Sequence, residues 1–474
     1  LDIGIKQKGK LFEFLQMITE WSEVARESSP IDIILDVVDK IGVENYYLGG
    51  KKIGPLITAI SYSASNSSAW TLLGVSGIAY KFGVSTIWLV IGVIVGMFFN
   101  WLIVAPTLFR MTRSKDLITI PQFLVNEYQE KEKNPILLLS SIIIIFSFAF
   151  YIASQFQGAG NAFQNTFNWG IVQSIALSAI VIFAYTYMGG YLAVSITDTI
   201  QGFLMGFTAL IMPLVALMKL GGPGVLIDSI INNSTDFTSL TLGNTGLMAM
   251  GLIFGQLGIA LGYFGQPHLL SRFMAAKDEA SLKRARQYTL IWFIIVFIGM
   301  WLLGLIGHFM ITDLDNNENI FFILSESLFS PIVQGLLMAA VISAIMSTAD
   351  SQILVCASSI SLDVGLKLSE DPLKQSRLVT GVVIFLSAVI AIFLPEKIFS
   401  RVLFAWTAMG SAFGPAIIAR LLKWRIHPKN LFITIAAGFL LAVIFFYLPN
   451  SIGDWMERVL PFSIGMVLIY LFKE

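Results

Sequence analysis

The chain has 474 residues, 56% hydrophobic and 13% charged, with 30 basic and 30 acidic side chains. A soluble domain carries about 25% charged residues, so this chain lacks the polar surface to coat itself in water, and most of its surface must face lipid. Zero net charge points to no nucleic-acid partner, the single Cys356 excludes an intrachain disulfide and a multi-cysteine metal centre, and three histidines (His268, His308, His427) argue against a histidine-rich one.

Residues 1–48 are rich in Glu, Asp and Lys and contain only short amphipathic stretches, at 12–25 and 31–41. None is long enough to span a bilayer, so this part is read as soluble or interfacial helix. No cleavable signal peptide is visible, and a first residue of Leu1 suggests a fragment or a processed product.

Twelve mostly apolar stretches follow, near 55–79, 84–109, 136–162, 170–189, 192–219, 244–265, 287–312, 331–361, 377–395, 399–422, 429–448 and 455–472. Each approaches the roughly 20 residues that a membrane helix needs. Spans packed this densely are helices, since a barrel shows alternating segments of about ten residues. Most loop lysines and arginines, among them Arg110, Arg113, Lys115, Lys131, Lys133, Arg272, Lys277, Arg284 and Arg286, fall on the side occupied by residues 1–48. The positive-inside rule makes that side cytoplasmic, with both termini on it. The protein is therefore expected in a cell (inner) membrane, crossing it many times. The outer stretch at 312–319 is acidic, which agrees.

Two spans are not smooth. The first carries seven polar residues in eight between Ser61 and Ser68, in mid-membrane. The sixth carries Gly255, Gly258 and Gly262 and then Gly265-Gln266-Pro267. The two lie five spans apart, and interrupted helices at corresponding places in two halves point to a transporter built from inverted repeats. Close helix packing also uses small residues, but it accounts poorly for the polar run. The expected organisation is a segment at 1–48, a ten-span core over 49–422, and two further spans over 423–474.

Several motifs resemble the sodium/solute symporter family, and within it the sodium/proline branch. They are Tyr47-Leu48-Gly49-Gly50 with Gly54-Pro55, Ser65–Trp70, Gly189–Ser195 with Thr197-Asp198-Thr199, Gly262–His268 with Arg272-Phe273-Met274, Met346–Gln352, and Phe413-Gly414-Pro415. The resemblance runs from about residue 46 to the end and is most specific at Gly262–Met274.

It implies an all-α membrane protein with a five-plus-five inverted repeat of the leucine-transporter type, its helices broken at the binding site. It also implies a sodium-coupled symporter of a small solute, with proline as the first candidate. Sodium is then the coupling ion, bound by the backbone carbonyls of Ala64, Ser67 and Ala344 and the hydroxyls of Ser347 and Thr348. Such neutral oxygens suit a hard cation, whereas bonding back to their own helix is the ordinary use of Ser347 and Thr348. For the solute the resemblance points to Ser68, Trp70, Tyr151 and Tyr263. Exposed N–H groups at a half-helix end suit a carboxylate, and aromatic faces suit an apolar ring beside a cation. Packing or interfacial roles are the alternative for these aromatics.

The chain departs from the proline branch at two positions. Asn66 stands where that branch has an aspartate, which implies weaker sodium binding or a site organised as in sugar-carrying relatives. Ile259 stands where it has a tryptophan, which removes an aromatic wall. The family also has one more span ahead of the first span here, outside the ten-span core.

Asp198 and Asp350 each cost about 2.5–3.5 kcal/mol at a helix centre and need a partner or water. One of them contributes to a second cation site or a gate, or else each lies near a helix end or pairs with Arg or Lys. Asp350 also adds negative potential near Thr348 that could replace the charge missing at Asn66. His268 reads as structural, and His308 and His427 as peripheral. No phosphate-binding loop, G-x-S-x-G or H-E-x-x-H occurs, which argues against an ATP-driven pump and an enzyme. The rival from another class is a non-transporting solute sensor on the same fold.

Overall fold

A computed structural model describes residues 43–167, 169–365, 372–393, 398–448 and 451–473. The bulk of the segment read above as soluble or interfacial helix thus lies outside the described residues. Its last part, Val43–Leu48, is a short helix whose Tyr46, Tyr47 and Leu48 are buried in the protein rather than facing water.

A chain in lipid must satisfy its backbone groups internally, so the apolar runs become helices. Span one is Pro55–Asn66, a break, then a π-turn at Trp70–Gly74 and Val75–Phe82. Span two runs from Ile87 to Ser114 through a π-turn at Asn100–Val104. Span three is Glu130–Phe167. Spans four and five form one continuous helical run, Ile171–Leu220, divided by Gly190 at φ 64° and ψ 174°, a conformation open only to glycine. Span six is Gly246–Leu257 and Ile259–Gly262, a break, then Pro267–Ala275. Spans seven to twelve are Glu279–Met310, Pro331–Val364, Pro372–Phe393, Ile398–Leu421, Pro428–Tyr447 and Trp455–Leu471. Pro55, Pro267, Pro331 and Pro428 start their helices, where a fixed φ and a missing N–H cost nothing.

Among the described residues, eight helical runs are long and apolar enough to cross a membrane, and Ile171–Phe183 and Leu378–Phe393 are shorter apolar helices. One of the eight, Trp70–Ser114, joins the second half of span one to span two. The last expected span falls short of the length: Trp455–Leu471 has 17 residues, with Glu457 and Arg458 among them. Ile332, Leu247 and Phe385 are 88%, 85% and 67% exposed, as a lipid-facing surface requires.

Five spans separate the two breaks. An odd number of crossings makes the second set of five enter from the opposite face, the geometry of an inverted repeat. Spans one and five meet at Gly202, where a Cβ would lie 2.5 Å from Ile60 Cγ2. Span ten presses on the break in span six: a Cβ on Gly410 would lie 2.5 Å from the Cα of Gly262.

Several cations grouped with the loops are buried instead. Lys51, Arg272, Arg420 and Arg458 are 4%, 2%, 4% and 6% exposed. Each has an acidic partner: Asp116 and Glu44 for Lys51, Asp198 for Arg272, Glu127 for Arg420 and Asp454 for Arg458. Composition cannot tell a paired cation from a solvated one.

Candidate functional site

Span one loses its helix at Ser67, whose φ of −100° and ψ of 81° lie outside the helical region. The groups freed there find partners from neighbouring spans. Gln155 Oε1 of span three accepts from Ala69 N at 3.0 Å, and Trp70 Nε1 donates to the Asn66 carbonyl at 3.4 Å. Span eight meets the same break. Ser347 Oγ donates to the Ala64 carbonyl at 3.1 Å and to its own helix at Ala344 O, 3.2 Å. The bond back to its own helix foreseen for Ser347 is therefore present, and a second bond brings Ala64, Ala344 and Ser347 together. Ser67 Oγ and Thr348 Oγ1 are buried with no hydrogen-bond partner among the described residues. Carbonyl and hydroxyl oxygens without a fixed anion fit a small hard cation, and no group of three or more His, Cys, Asp or Glu occurs among the described residues.

The aromatic candidates are buried as well. Trp70, Tyr151 and Tyr263 are 2%, 0% and 0% exposed. The Tyr151 hydroxyl sits beside Ser68 and Trp70, and the Tyr263 hydroxyl beside Asn66. Neither hydroxyl, nor either polar atom of the Asn66 side chain, has a hydrogen-bond partner among the described residues. Buried polar atoms are usually paired, so Asn66, Tyr151 and Tyr263 leave unmet hydrogen-bonding capacity next to the two helix breaks.

The break in span six is held by Gln266, whose Nε2 donates to Gly262 O at 3.1 Å and to Trp406 O at 2.9 Å. Trp406 Nε1 donates to Ile259 O at 2.9 Å, and its ring stands edge-on to Tyr263 at 4.7 Å. Tyr263 therefore has an aromatic wall despite Ile259; the tryptophan comes from span ten.

One turn inward, Arg272 Nη2 donates to Ser65 Oγ at 2.8 Å, Asp198 Oδ2 at 3.0 Å and Ser351 Oγ at 2.6 Å. Ser61 Oγ also donates to Asp198 Oδ2, at 2.8 Å. This cluster ties spans one, five, six and eight together. Asp198 is fully buried and paired with Arg272, as the reading that it pairs with a basic residue expects, and it does not lie at a helix end in water. Asp350 accepts from Ser351 Oγ at 3.3 Å and lies within the field of Arg272. Two residues turn a helix by about 200°, so its charge lies away from Thr348 and is poorly placed to replace the one missing at Asn66.

At the basic face the chain is latched. Ile53 N donates to Ala275 O at 3.2 Å and Lys277 N to Ile53 O at 2.9 Å. Arg113 Nη2 donates to the carbonyls of Lys51, Ala276 and Lys277 at 3.0, 2.8 and 2.8 Å. Lys51 donates to Asp116, and that bond and charge hold the Asp116 carboxyl below the usual carboxylate range.

Sequence reasoning did not assign roles to Ser61, Ser65, Gln266, Arg272, Ser351 or Trp406. The motif around Gly262–Met274 contained two of them, but only the packing reveals their partners. His268, read as structural, is fully buried with both ring nitrogens unpartnered among the described residues.

Residues 46–447 match the family described as the sodium:solute symporter family. The chain is 34% identical over 437 residues to the osmoregulated proline transporter OpuE of Bacillus subtilis (strain 168), covering 90% of this chain and 88% of that one. It is 34% identical over 390 residues to a sodium/proline symporter of Staphylococcus aureus, covering 79% and 75%. Among solved structures, an outward-open, substrate-bound Na+-coupled sialic acid symporter superposes with a TM-score of 0.74 at 17% identity, over 91% of this chain and 93% of that one. MhsT in complex with L-phenylalanine superposes with a TM-score of 0.58 at 14% identity, over 89% and 98%.

Proposed function

Because the chain belongs to the sodium:solute symporter family, we propose that it imports proline, or an amino acid close to it, together with sodium, by opening one buried site alternately to the two faces of the membrane. The observation that carries this reading is the bond from Ser347 to the Ala64 carbonyl, because it joins the break in span one to span eight. The names of the relatives at 34% identity favour proline as the solute.

In this mechanism sodium travels as cargo. The carbonyls of Ala64, Ser67 and Ala344 and the hydroxyls of Ser347 and Thr348 hold it. An ion bridging spans one and eight favours the arrangement in which they meet, and that arrangement completes the pocket of Ser68, Trp70, Tyr151 and Tyr263. A ligand favours the state it binds better, and the gain is reciprocal, so the solute also tightens sodium binding. Trp70, Tyr263 and Trp406 offer apolar walls to a pyrrolidine ring, and Asn66 and the tyrosine hydroxyls offer hydrogen bonds to its carboxylate and ammonium. The basic face is the cytoplasmic one, as the positive-inside rule requires. The Arg272–Asp198 cluster and the latch at Ile53 and Ala275 close the route to that face.

A second reading rests on Asn66. A neutral amide with both polar atoms free among the described residues also suits a hydroxylated solute such as a sugar, or an organic acid. The test is radiolabelled uptake into proteoliposomes across a panel of amino acids, sugars and organic acids, with an inward gradient of sodium or of choline. Proline uptake should require sodium. Equal proline uptake in both buffers removes the coupling, sodium-driven uptake of a sugar alone moves the protein to the second reading, and sodium-dependent binding without flux marks a sensor.

A further inference from the structure

The polar lining continues beyond the solute pocket towards the basic face. On span three Ser147 lies one turn inward of Tyr151, and on span eight Gln352 lies one turn inward of Thr348. Residues four apart share a helix face, so each continues the stripe of a site residue. The two helices run antiparallel at matched depth, since Ser141 Oγ donates to Ser359 O at 3.4 Å further in. Against span three stands His268, from the first turn of Pro267–Ala275. Its ring stands edge-on to Phe148 at 5.2 Å and to Tyr151 at 6.3 Å.

Ser147, His268 and Gln352 are all 0% exposed. Ser147 Oγ, both ring nitrogens of His268 and both amide atoms of Gln352 have no hydrogen-bond partner among the described residues. Buried side-chain polar atoms nearly always have one, and five on three adjacent elements ask for a ligand. Beyond them lies a cavity of about 30 Å³, lined among others by Pro267, Ser271, Arg272, Ser351 and Ser359 and reaching Thr119 near the basic face. It has room for a water and not for an amino acid.

We propose that Ser147, His268 and Gln352 form a second solute station, one turn inward of the main pocket, which takes the zwitterion of the transported amino acid on its way to the basic face. The proposal rests on the reading of the chain as an amino-acid symporter. A neutral imidazole offers one donor and one acceptor, a carboxamide two donors and an acceptor, and a hydroxyl either role. Together they serve a carboxylate and an ammonium without holding either through a full charge, so the solute is handed on rather than trapped. The positive end of the 267–275 helix and Arg272 bias the carboxylate inward.

The test is sided transport in proteoliposomes of uniform orientation, with the half-saturating proline concentration measured from each face in saturating sodium. His268→Ala and Gln352→Ala should each raise the ratio of the basic-face value to the opposite-face value about tenfold, as loss of one hydrogen bond to a charged group does. His268→Gln, which keeps a donor and an acceptor, should restore most of it. A purely structural role moves the two faces together or lowers the melting temperature, and either result overturns the proposal, as does an unchanged ratio. Should the alanine variants not fold, His268→Asn and Ser147→Ala carry the same measurement. A wild-type protein that does not transport proline with sodium overturns the underlying reading instead.

Discussion

Two polar clusters share span one, and their hydrogen bonding is opposite. Ser61 and Ser65 belong to the inner cluster, where Arg272 Nη2 bonds three side chains and Asp198 Oδ2 accepts from Ser61, Ser65 and Arg272. Asn66, Ser67 and the neighbouring Thr348, Tyr151 and Tyr263 belong to the outer one, and their side-chain polar atoms have no partner among the described residues. Both are fully buried. A satisfied network in a low-dielectric interior fixes one arrangement, whereas unpaired groups are costly until a ligand arrives. In the proposed mechanism the inner cluster acts as a lock and the outer one as a receptor, and their adjacency lets filling one bear on the other.

The largest effect should come from breaking the lock. Arg272→Ala leaves Asp198 buried without its counter-ion, which costs about 3–5 kcal/mol, so the melting temperature in detergent and the folded yield should fall sharply. Replacing the pair together, by Arg272→Met with Asp198→Leu, should recover much of that loss while freeing or jamming the inner route. An Arg272→Ala protein that melts like the wild type would remove the distinction between the clusters.

The receptor should behave in the reverse way. Thr348→Ala deletes one of the proposed sodium ligands, and the half-saturating sodium concentration in proline uptake should rise about tenfold, the equivalent of about 1.4 kcal/mol, with little change in melting temperature. A rise in the proline value alone would place Thr348 on the solute instead. Tyr263→Phe removes a hydroxyl that is unpaired among the described residues, so stability should stay within about 1 kcal/mol of wild type. Half-saturating proline should rise several-fold, and an unchanged value would show that this hydroxyl never meets the solute.

The smallest effect concerns the exposed end of the latch. The Asp116 carboxyl is held below its ordinary value by Lys51. Its contribution is therefore present above the unfolded-state value of about 3.9 and is lost as pH falls from there through the lower folded value. Asp116 is mostly solvent-exposed, so screening keeps the contribution small. Asp116→Asn should flatten the acid limb of melting temperature against pH without altering the neutral value much. A large loss at pH 7 would mean that the latch depends on this pair rather than on Arg113.

The sequence by itself determined the membrane class, the helical spans, and which two of them, the first and the sixth, are interrupted. Hydrophobic length and local polarity are properties of contiguous residues, and lipid leaves helix as the only way to satisfy the backbone there. Family motifs also pointed to Ala64, Ala344, Ser347, Tyr151 and Tyr263 as candidates. What only the tertiary structure decided was partnership. Arg272 reads as one more loop cation until Asp198, 74 positions away, is found against it. Trp406 of span ten stands edge-on to Tyr263 and bonds the carbonyl of Ile259, and Asp350 reads as a neighbour of Thr348 until it is found within the field of Arg272. His268 reads as packing until its burial leaves two nitrogens unpaired among the described residues. Each is a contact between distant spans, set by how helices cross rather than by any local pattern, and so none was legible in the order of residues along the chain.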